Sequence, residues 1–389
     1  MMLHPLLFLL FALTVLTVAI CCLQDIAREL LAPRLAPRAG LPLRGPLVSV
    51  IIPARNEAER IGPCLEGLAA QTYRDFELIV VDDGSTDGTA GVVRGYASRL
   101  PGLKVLPGAA LPAGWAGKCW ACWQGYGAAR GELLLFLDAD VIPRPDLIAA
   151  LVARMAEGRD LLTLMPLLRL GSLAERLVLP AFGTILLGLY PLRLVSDPRS
   201  PLAFANGQCI CIRREVYAAT DGHRGVRDSV LEDAILGQRV KAAGYRLEAA
   251  AAPELIEVRM YTGWATLAEG LRKNAAAGWR SGGTRSTWIG ARQSLLAFGP
   301  LYLLIPTALA WVAEPGGVLA VVLLLHALGL ALLALGTAAW LTGRRYRVAP
   351  LWGTLYPLGL ALYFAIAASG FLRVWTGRGV TWKDRTISG

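Results

Sequence analysis

Three short apolar runs, each closed by a polar cluster, set the architecture of this chain. Leu47 to Ile52 leads into Pro53-Ala54-Arg55-Asn56-Glu57, Phe76 to Val81 into Asp82-Asp83-Gly84-Ser85-Thr86-Asp87-Gly88-Thr89, and Glu132 to Leu137 into Asp138-Ala139-Asp140. Apolar runs of this length without period-two alternation read as strands buried on both faces, the pattern of parallel sheets. Ligands of open α/β sheets sit outside the carboxyl ends of such strands. In the second run, Asp82 and Asp83 can grip the polar edge of a base or ribose, while Gly84 and Gly88 let the backbone come close. The same residues also suit a turn followed by a helix N-cap. Three strands delivering polar residues to one crevice favour a nucleotide site. Helices are expected over 58–71 and 119–129, and a further strand over Cys209 to Ile212.

The 389 residues are 55% hydrophobic, too apolar for a purely soluble chain, and the excess lies at the two ends. Leu3 to Cys22 is long enough to cross a bilayer, which takes about 20 residues. It lacks a basic leading segment and a small-residue cleavage site, so a retained anchor is expected rather than a signal peptide. Three more apolar segments follow, at Ile289 to Val312, Val318 to Leu341 and Leu351 to Leu372. The expected plan is an anchor over 1–24, a basic linker over 25–45, an α/β domain over 46–288, membrane helices over 289–373 and a basic tail over 374–389.

The net charge is +10. Several basic residues flank the apolar segments: Arg28, Arg34, Arg38 and Arg44, then Arg344, Arg345 and Arg347, then Arg373, Arg378, Lys383 and Arg385. That placement suits anionic headgroups and puts the α/β domain in the cytoplasm, on the inner membrane. No basic stripe with interleaved aromatics marks a nucleic-acid binder. If all three late segments spanned, the basic tail would emerge outside, so one is expected to be re-entrant or interfacial. Ile289 to Val312, interrupted by Gly299, Pro300 and Pro306, is the first suspect. Leu177 to Val195, inside the α/β region, reads either as a buried helix or as a helix at the bilayer surface receiving lipid.

Seven cysteines give no even disulfide framework. Cys119-x-x-Cys122 and Cys209-x-Cys211 make a zinc site only if they meet, and the one-residue gap is tight for that. Buried small residues are the favoured reading. With His4, His223 and His326 alone, a His-rich metal site is excluded.

Asp138 and Asp140 fall on one side of an extended segment. Hard carboxylate oxygens suit Mg²⁺ or Mn²⁺ shared with a diphosphate, or else both cap the following helix. Lys118 stands at a helix N-terminus, able to neutralise a phosphate or touch the sugar, or simply solvated. Glu232-Asp233 offers either a general base or first-turn acids that favour the helix dipole. Asn206-Gly207-Gln208 lines a sugar or acceptor pocket, or is an ordinary turn into a strand.

The ordered set PARNE, VDDGSTDGT, GK, DAD, NG and ED resembles membrane-bound family 2 glycosyltransferases over residues 46 to about 260. The resemblance implies a GT-A fold: a nucleotide-sugar-binding α/β domain with a mostly parallel sheet flanked by helices, plus one N-terminal and about three C-terminal membrane helices. The flanking topology and the closing Val380-Thr381-Trp382-Lys383-Asp384-Arg385 are similar to enzymes that glycosylate carotenoid acids or accompany hopanoid synthesis. By resemblance, Pro53, Arg55 and Glu57 border the nucleotide, Asp83 binds the base, Asp138 lies near the ribose, Asp140 holds the metal and Asp233 is the catalytic base. Asp82, Lys118, Asn206 and Gly207 join the donor site and Glu232 the catalytic pair. The region 272–280 lacks the Q-x-x-R-W motif of processive synthases, which argues against polymer extrusion. The expected activity is an inverting transfer of one sugar, from a UDP-sugar, to a membrane lipid. A polyprenyl-phosphate acceptor and a non-catalytic nucleotide-binding scaffold are the alternatives.

Overall fold

The computed structural model describes residues 3–229, 231–376, 380–382 and 385–387; Arg378 and Lys383 of the expected basic tail lie outside the described residues. Helix α1 (Leu3–Leu30) leads to an alternation of β1 (Val48–Ala54), α2 (Gly62–Ala69), β2 (Phe76–Asp82), α3 (Thr89–Arg94), β3 (Leu103–Pro107), α4 (Gly117–Ala128) and β4 (Leu133–Leu137). Then come β5 (Val141–Pro143), α5 (Leu147–Ala156), β6 (Leu161–Met165), β7 (Leu167–Leu168), α6 (Leu173–Leu189) and α7 (Leu192–Ser196). The α/β part closes with β8 (Cys209–Arg213), α8 (Arg214–Ala219), α9 (Glu232–Ala242), β9 (Leu247–Ala251) and β10 (Ile256–Val258). Helices α10 (Trp264–Ala313), α11 (Val318–Tyr346), α12 (Leu351–Thr354) and α13 (Tyr356–Trp375) follow.

The main sheet has seven strands in the order β3-β2-β1-β4-β8-β6-β9. Strands β3, β2, β1 and β4 are all parallel, with Val48 opposite both Phe76 and Leu133. Strand β8 is antiparallel to both of its neighbours, β4 and β6, and β9 returns parallel to β6. All three expected strand-to-cluster junctions therefore lie side by side at one sheet edge. Strands β5, β10 and β7 form a small second sheet beside them.

The central strands are apolar throughout because both faces are covered. Val48, Val50 and Ile52 of β1 pack with Leu65 and Leu68 of α2 and with Leu151 of α5. Ile51 points the other way, into a cluster with Ala121 and Cys122 of α4 and Tyr217. Burying each such side chain contributes about 1.5–3 kcal/mol. Helix α4 comes so close to the sheet that a Cβ at Gly125 would stand 2.4 Å from Ile51 Cγ2. Cys119 and Cys122 are buried on α4, and Cys209 and Cys211 are buried on β8 facing the opposite layer, so the two pairs are separated by the sheet. Their burial pushes all four thiols up in pKa, as expected of core residues rather than ligands.

Five helices are long and apolar enough to cross a membrane: Phe11–Leu30, Leu173–Ser196, Gly283–Ala313, Val318–Tyr346 and Tyr356–Trp375. The chain is thus a multi-pass membrane protein with one such helix near the start, one inside the α/β region and three at the end. The domain boundary expected at residue 288 falls within α10, which already begins at Trp264. That helix breaks at Gly283, whose φ of 50° and ψ of −139° belong to glycine. Its first part packs on the α/β domain, where Leu267, Ala268 and Leu271 join Leu170, Val178 and Tyr261, and only the part after the break has the composition of a membrane segment.

Candidate active site

The loop after β2 does two jobs that the sequence could not separate. Asp82 Oδ1 accepts the Ser85 N–H at 2.9 Å, and Asp87 accepts the N–H groups of Ala58 and Thr89, so both shape the turn. Asp82 accordingly does not line the cavity, against the expectation that it joins the nucleotide site. Asp83 does line it. The loop after β1 is stitched to this turn: Asn56, at a φ of 51°, accepts the Thr86 N–H through Oδ1, and Arg55 donates to the Asp83 carbonyl at 2.7 Å.

Asp138-Ala139-Asp140 forms a turn, closed by the Val141 N–H on the Asp138 carbonyl, rather than the extended segment expected. Ala139 is buried and the two carboxylates still reach one cavity, where each meets a cation. Lys118, at the start of α4, lies 2.8 Å from Asp138 Oδ1 and 3.1 Å from Glu232 Oε1. Arg60 pairs with Asp140 and also donates to the Arg259 and Met260 carbonyls.

Glu232 and Asp233 open helix α9, so the dipole reading and the catalytic reading describe the same residues. Asp233 is held by two backbone groups: Gly207 N–H donates to Oδ2 at 2.7 Å and Ala234 N–H to Oδ1 at 2.8 Å. Burial, reinforced by the neighbouring Glu232 charge, pushes the Asp233 carboxyl up to about 6. For Glu232 burial works in the same direction, but Lys118 and Lys273 outweigh it and hold that carboxyl below its usual range. Burial would likewise depress Lys118, yet Asp138, Glu232 and Asp233 together raise it well above an ordinary lysine. The result is one fixed ion pair and, beside it, one carboxyl poised near neutrality, the division that acid–base sites exploit.

Gly207 is where the loop before β8 must lack a side chain. A Cβ there would stand 2.9 Å from Lys118 Nζ and 3.0 Å from Asp233 Oδ2. Asn206 braces this loop, its Nδ2 donating to the Leu164 carbonyl and to Gln208 Oε1.

The site opens on a cavity of about 1110 Å³. Pro53, Arg55, Glu57, Asp83, Lys118, Asp138, Asp140, Asn206, Gly207, Glu232 and Asp233 line it, so every expected site residue but Asp82 is brought together. The same cavity continues past Tyr190 and Phe204 to Leu186 of α6, Gly290 of α10, and Phe364, Ala367 and Phe371 of α13. Among the lining residues that sequence reasoning did not assign to the site are Arg60, Trp115 and Lys273. Lys273 is one of only five lysines in the chain, a signal that was available, but nothing in the sequence brings α10 to the sheet edge. Burial lowers its pKa, partly offset by Glu232.

The donor set suits a hard cation. Among the described residues no group of three or more His, Cys, Asp or Glu forms a metal cage. A divalent ion at Asp138 and Asp140 would therefore take one or two carboxylates and complete its shell with phosphate and water, the usual habit of Mg²⁺. It would compete with Arg60 for Asp140.

A sheet whose parallel strands present acidic and basic side chains to one crevice, opening onto apolar helices, defines a membrane-associated α/β protein. Residues 49–218 match the family Glycosyl transferase family 2. Among curated relatives, 4,4'-diaponeurosporenoate glycosyltransferase of Staphylococcus aureus (strain MRSA252) is 30% identical over 247 residues, which cover 61% of this chain and 62% of that protein. Its counterpart in Staphylococcus haemolyticus (strain JCSC1435) is 27% identical over 235 residues, 59% of this chain and 61% of that one. The match thus spans less than two thirds of these relatives' own length. Among solved structures, the mannosyltransferase PcManGT from Pyrobaculum calidifontis in complex with GDP-Man and Mn²⁺ is 20% identical and covers 91% of this chain and 99% of that one, with a TM-score of 0.47. At that score the likeness fixes neither fold nor ligand for this chain.

Proposed function

We propose that this protein transfers a single sugar, with inversion, from a nucleotide-sugar donor to a membrane-dissolved lipid acceptor, on a GT-A fold. The observation that carries this is the shared cavity, polar at the sheet edge and apolar where α6 and α13 line it. A water-soluble donor enters at one end and an apolar acceptor at the other. The kinship to 4,4'-diaponeurosporenoate glycosyltransferases supports a terpenoid acceptor such as a carotenoid. A UDP-sugar is the donor expected, and the cytoplasmic face of the inner membrane, where such donors are made, is the side expected for the domain. The arginines at the domain-side ends of α1 and α11 agree with that side.

In the proposed donor site Asp83 reads the base, with Pro53, Arg55 and Glu57 as the adjoining wall. Lys118 and Lys273 flank the diphosphate and steady its charge as it leaves. A divalent ion held by Asp140, with Asp138 beside it, would neutralise the leaving diphosphate as a Lewis acid. The acceptor oxygen forms its bond to the anomeric carbon on the face opposite the departing phosphate oxygen, which leaves with the bonding electron pair. When the acceptor is a hydroxyl, its proton passes to Asp233, whose raised pKa suits that task. When the acceptor is a carboxylate there is no proton to remove, and Asp233 positions the acceptor.

The test is transfer of label from UDP-glucose and a small panel of other nucleotide sugars, with Mn²⁺, into the organic phase of a lipid extract, comparing wild type with Asp233→Asn. Labelled lipid formed by wild type alone supports the proposal. Nucleotide binding without any lipid labelling across the panel would sink it in favour of a non-catalytic scaffold.

A further inference from the structure

The apolar helices fall into two groups that share α10. In the first, Val18, Cys21 and Cys22 of α1 pack with Leu296 of α10 and with Leu330 and Ala334 of α11. Phe11 lies 5.5 Å from His326, Cys22 approaches the Leu333 carbonyl, and Glu29 pairs with Arg345 at 2.7 Å, so α1 and α11 run parallel along their length. Arg292 pairs with Asp25 at 3.0 Å, which sets α10 antiparallel to both. The domain-side level of this bundle is marked by Asp25, Glu29, Arg292 and Arg345.

In the second group α13 packs on α6 and along α10 on both sides of its break. Its first residue is at the domain-side level, because Tyr356 donates to Gln293 Oε1 at 2.8 Å, next to Arg292. Its far end does not cross to the other leaflet. A Cβ at Gly370 would stand 2.8 Å from the Arg272 carbonyl, and Arg272 Nε donates to Ser369 Oγ at 3.0 Å. Arg272 precedes Lys273, which lines the catalytic cavity. Both ends of α13 are therefore on the catalytic side.

We infer that α13 is seated in the leaflet facing the α/β domain instead of spanning the bilayer, and that its Ala367 face walls the route by which the acceptor's apolar chain enters from that leaflet. The occupant of its outer face is lipid hydrocarbon: Leu358, Leu372 and Trp375 are 50%, 52% and 77% exposed, and a Trp at a helix end suits the interface. Helix α6 leaves and re-enters the α/β domain between β7 and β8 and is half buried in it, so three crossings remain: α1, Gly283–Ala313 and α11. Ile289 to Val312, the suspect from sequence, is then a true span. The charges agree, since the turn joining α10 to α11 carries Glu314 and no Lys or Arg, whereas Arg344 and Arg345 close α11 on the catalytic side.

The acceptor route rests on the lipid-acceptor proposal; the topology does not. Single cysteines at Arg94 in the α/β domain, at Glu314 and at Thr376 report sidedness to a membrane-impermeant maleimide in sealed vesicles of known orientation. The unsubstituted protein, whose seven native cysteines are all buried, sets the background. Labelling of Thr376→Cys in the same vesicles as Arg94→Cys, and not with Glu314→Cys, is expected. Labelling of Thr376→Cys together with Glu314→Cys would overturn the seating of α13. Separately, Ala367→Trp should lower transfer into lipid at least tenfold while UDP binding by titration calorimetry stays within twofold. Undiminished transfer in that variant would overturn the acceptor route alone, and absence of transfer in the wild type would count against the lipid-acceptor proposal itself.

Discussion

The cavity holds two acidic pairs that look alike in sequence and behave differently in space. Asp138 and Asp140 leave the end of a parallel strand, and each is fastened to a basic side chain from another element, Lys118 or Arg60. Glu232 and Asp233 open a helix, and they share unequally: Glu232 takes Lys118, while Asp233 is gripped by two backbone N–H groups. A carboxylate paired with a cation remains charged and suits a site that handles phosphate. A buried carboxylate next to a like charge keeps its proton longer, which is how a base is tuned towards neutral pH. The difference teaches that the position of one lysine, more than the count of acids, divides the roles.

The largest effect that would test this division is Asp233→Asn. With a hydroxyl acceptor, kcat should drop by about 10²–10⁴-fold, the usual worth of a general base. Nucleotide binding should survive. A loss confined to less than about tenfold would point to a carboxylate acceptor, for which Asp233 only positions. Asp140→Ala addresses the other pair: losing a metal-bearing carboxylate should cost several kcal/mol, about 10²-fold or more in rate. The Mn²⁺ needed for half-maximal rate should rise with it. Full activity of the purified variant at limiting Mn²⁺ would remove Asp140 from the site.

Gly207→Ala breaks the boundary between the pairs by pressing a methyl group against both Lys118 and Asp233. Overpacking of this kind costs about 1–3 kcal/mol, equivalent to about 5–150-fold in rate if it falls on the transition state. Wild-type transfer, checked alongside an unchanged circular dichroism spectrum, would show that the lysine has room to move. The pH profile sharpens the same contrast. Because burial and Glu232 push Asp233 up to about 6, the deprotonated base is lost as pH falls through that value. The rate with a hydroxyl acceptor should then fall about tenfold per pH unit, and Asp233→Asn should flatten that limb. The smallest effect is expected from Lys273→Met, a rise in donor KM of about 5–10-fold with kcat little changed, as for loss of one partly solvated charge contact. A KM within error of wild type would place Lys273 outside the donor site.

Much of the donor half of the cavity was legible because it is local. A buried parallel strand announces itself by its unbroken apolar run, and the residues after it must lie at the sheet edge. That logic brought the clusters 53–57, 82–89 and 138–140 to one edge, and the resemblance to family 2 glycosyltransferases picked Pro53, Arg55, Glu57, Asp83, Asp138 and Asp140 from them. It erred where the backbone turns within a few residues. Asp82 and Asp83 are adjacent, and only the Asx-type turn onto Ser85 tells which one faces inward. The extended geometry expected for Asp138 to Asp140 fails for the same reason, since a turn replaces it.

The sequence by itself determined the elements: apolar runs fix which segments are buried strands and which helices seek a bilayer, because burial of apolar surface dominates and is read residue by residue. Tertiary structure alone decided how those elements meet. That Lys273 joins Lys118 at one cavity depends on α10 docking against the sheet, and the destination of α13 depends on Ser369, with Gly370 after it, meeting Arg272 across 97 residues of chain. Hydropathy cannot separate a helix that crosses the membrane from one that lies in a leaflet, since both need an apolar surface. The separation comes from what each end touches.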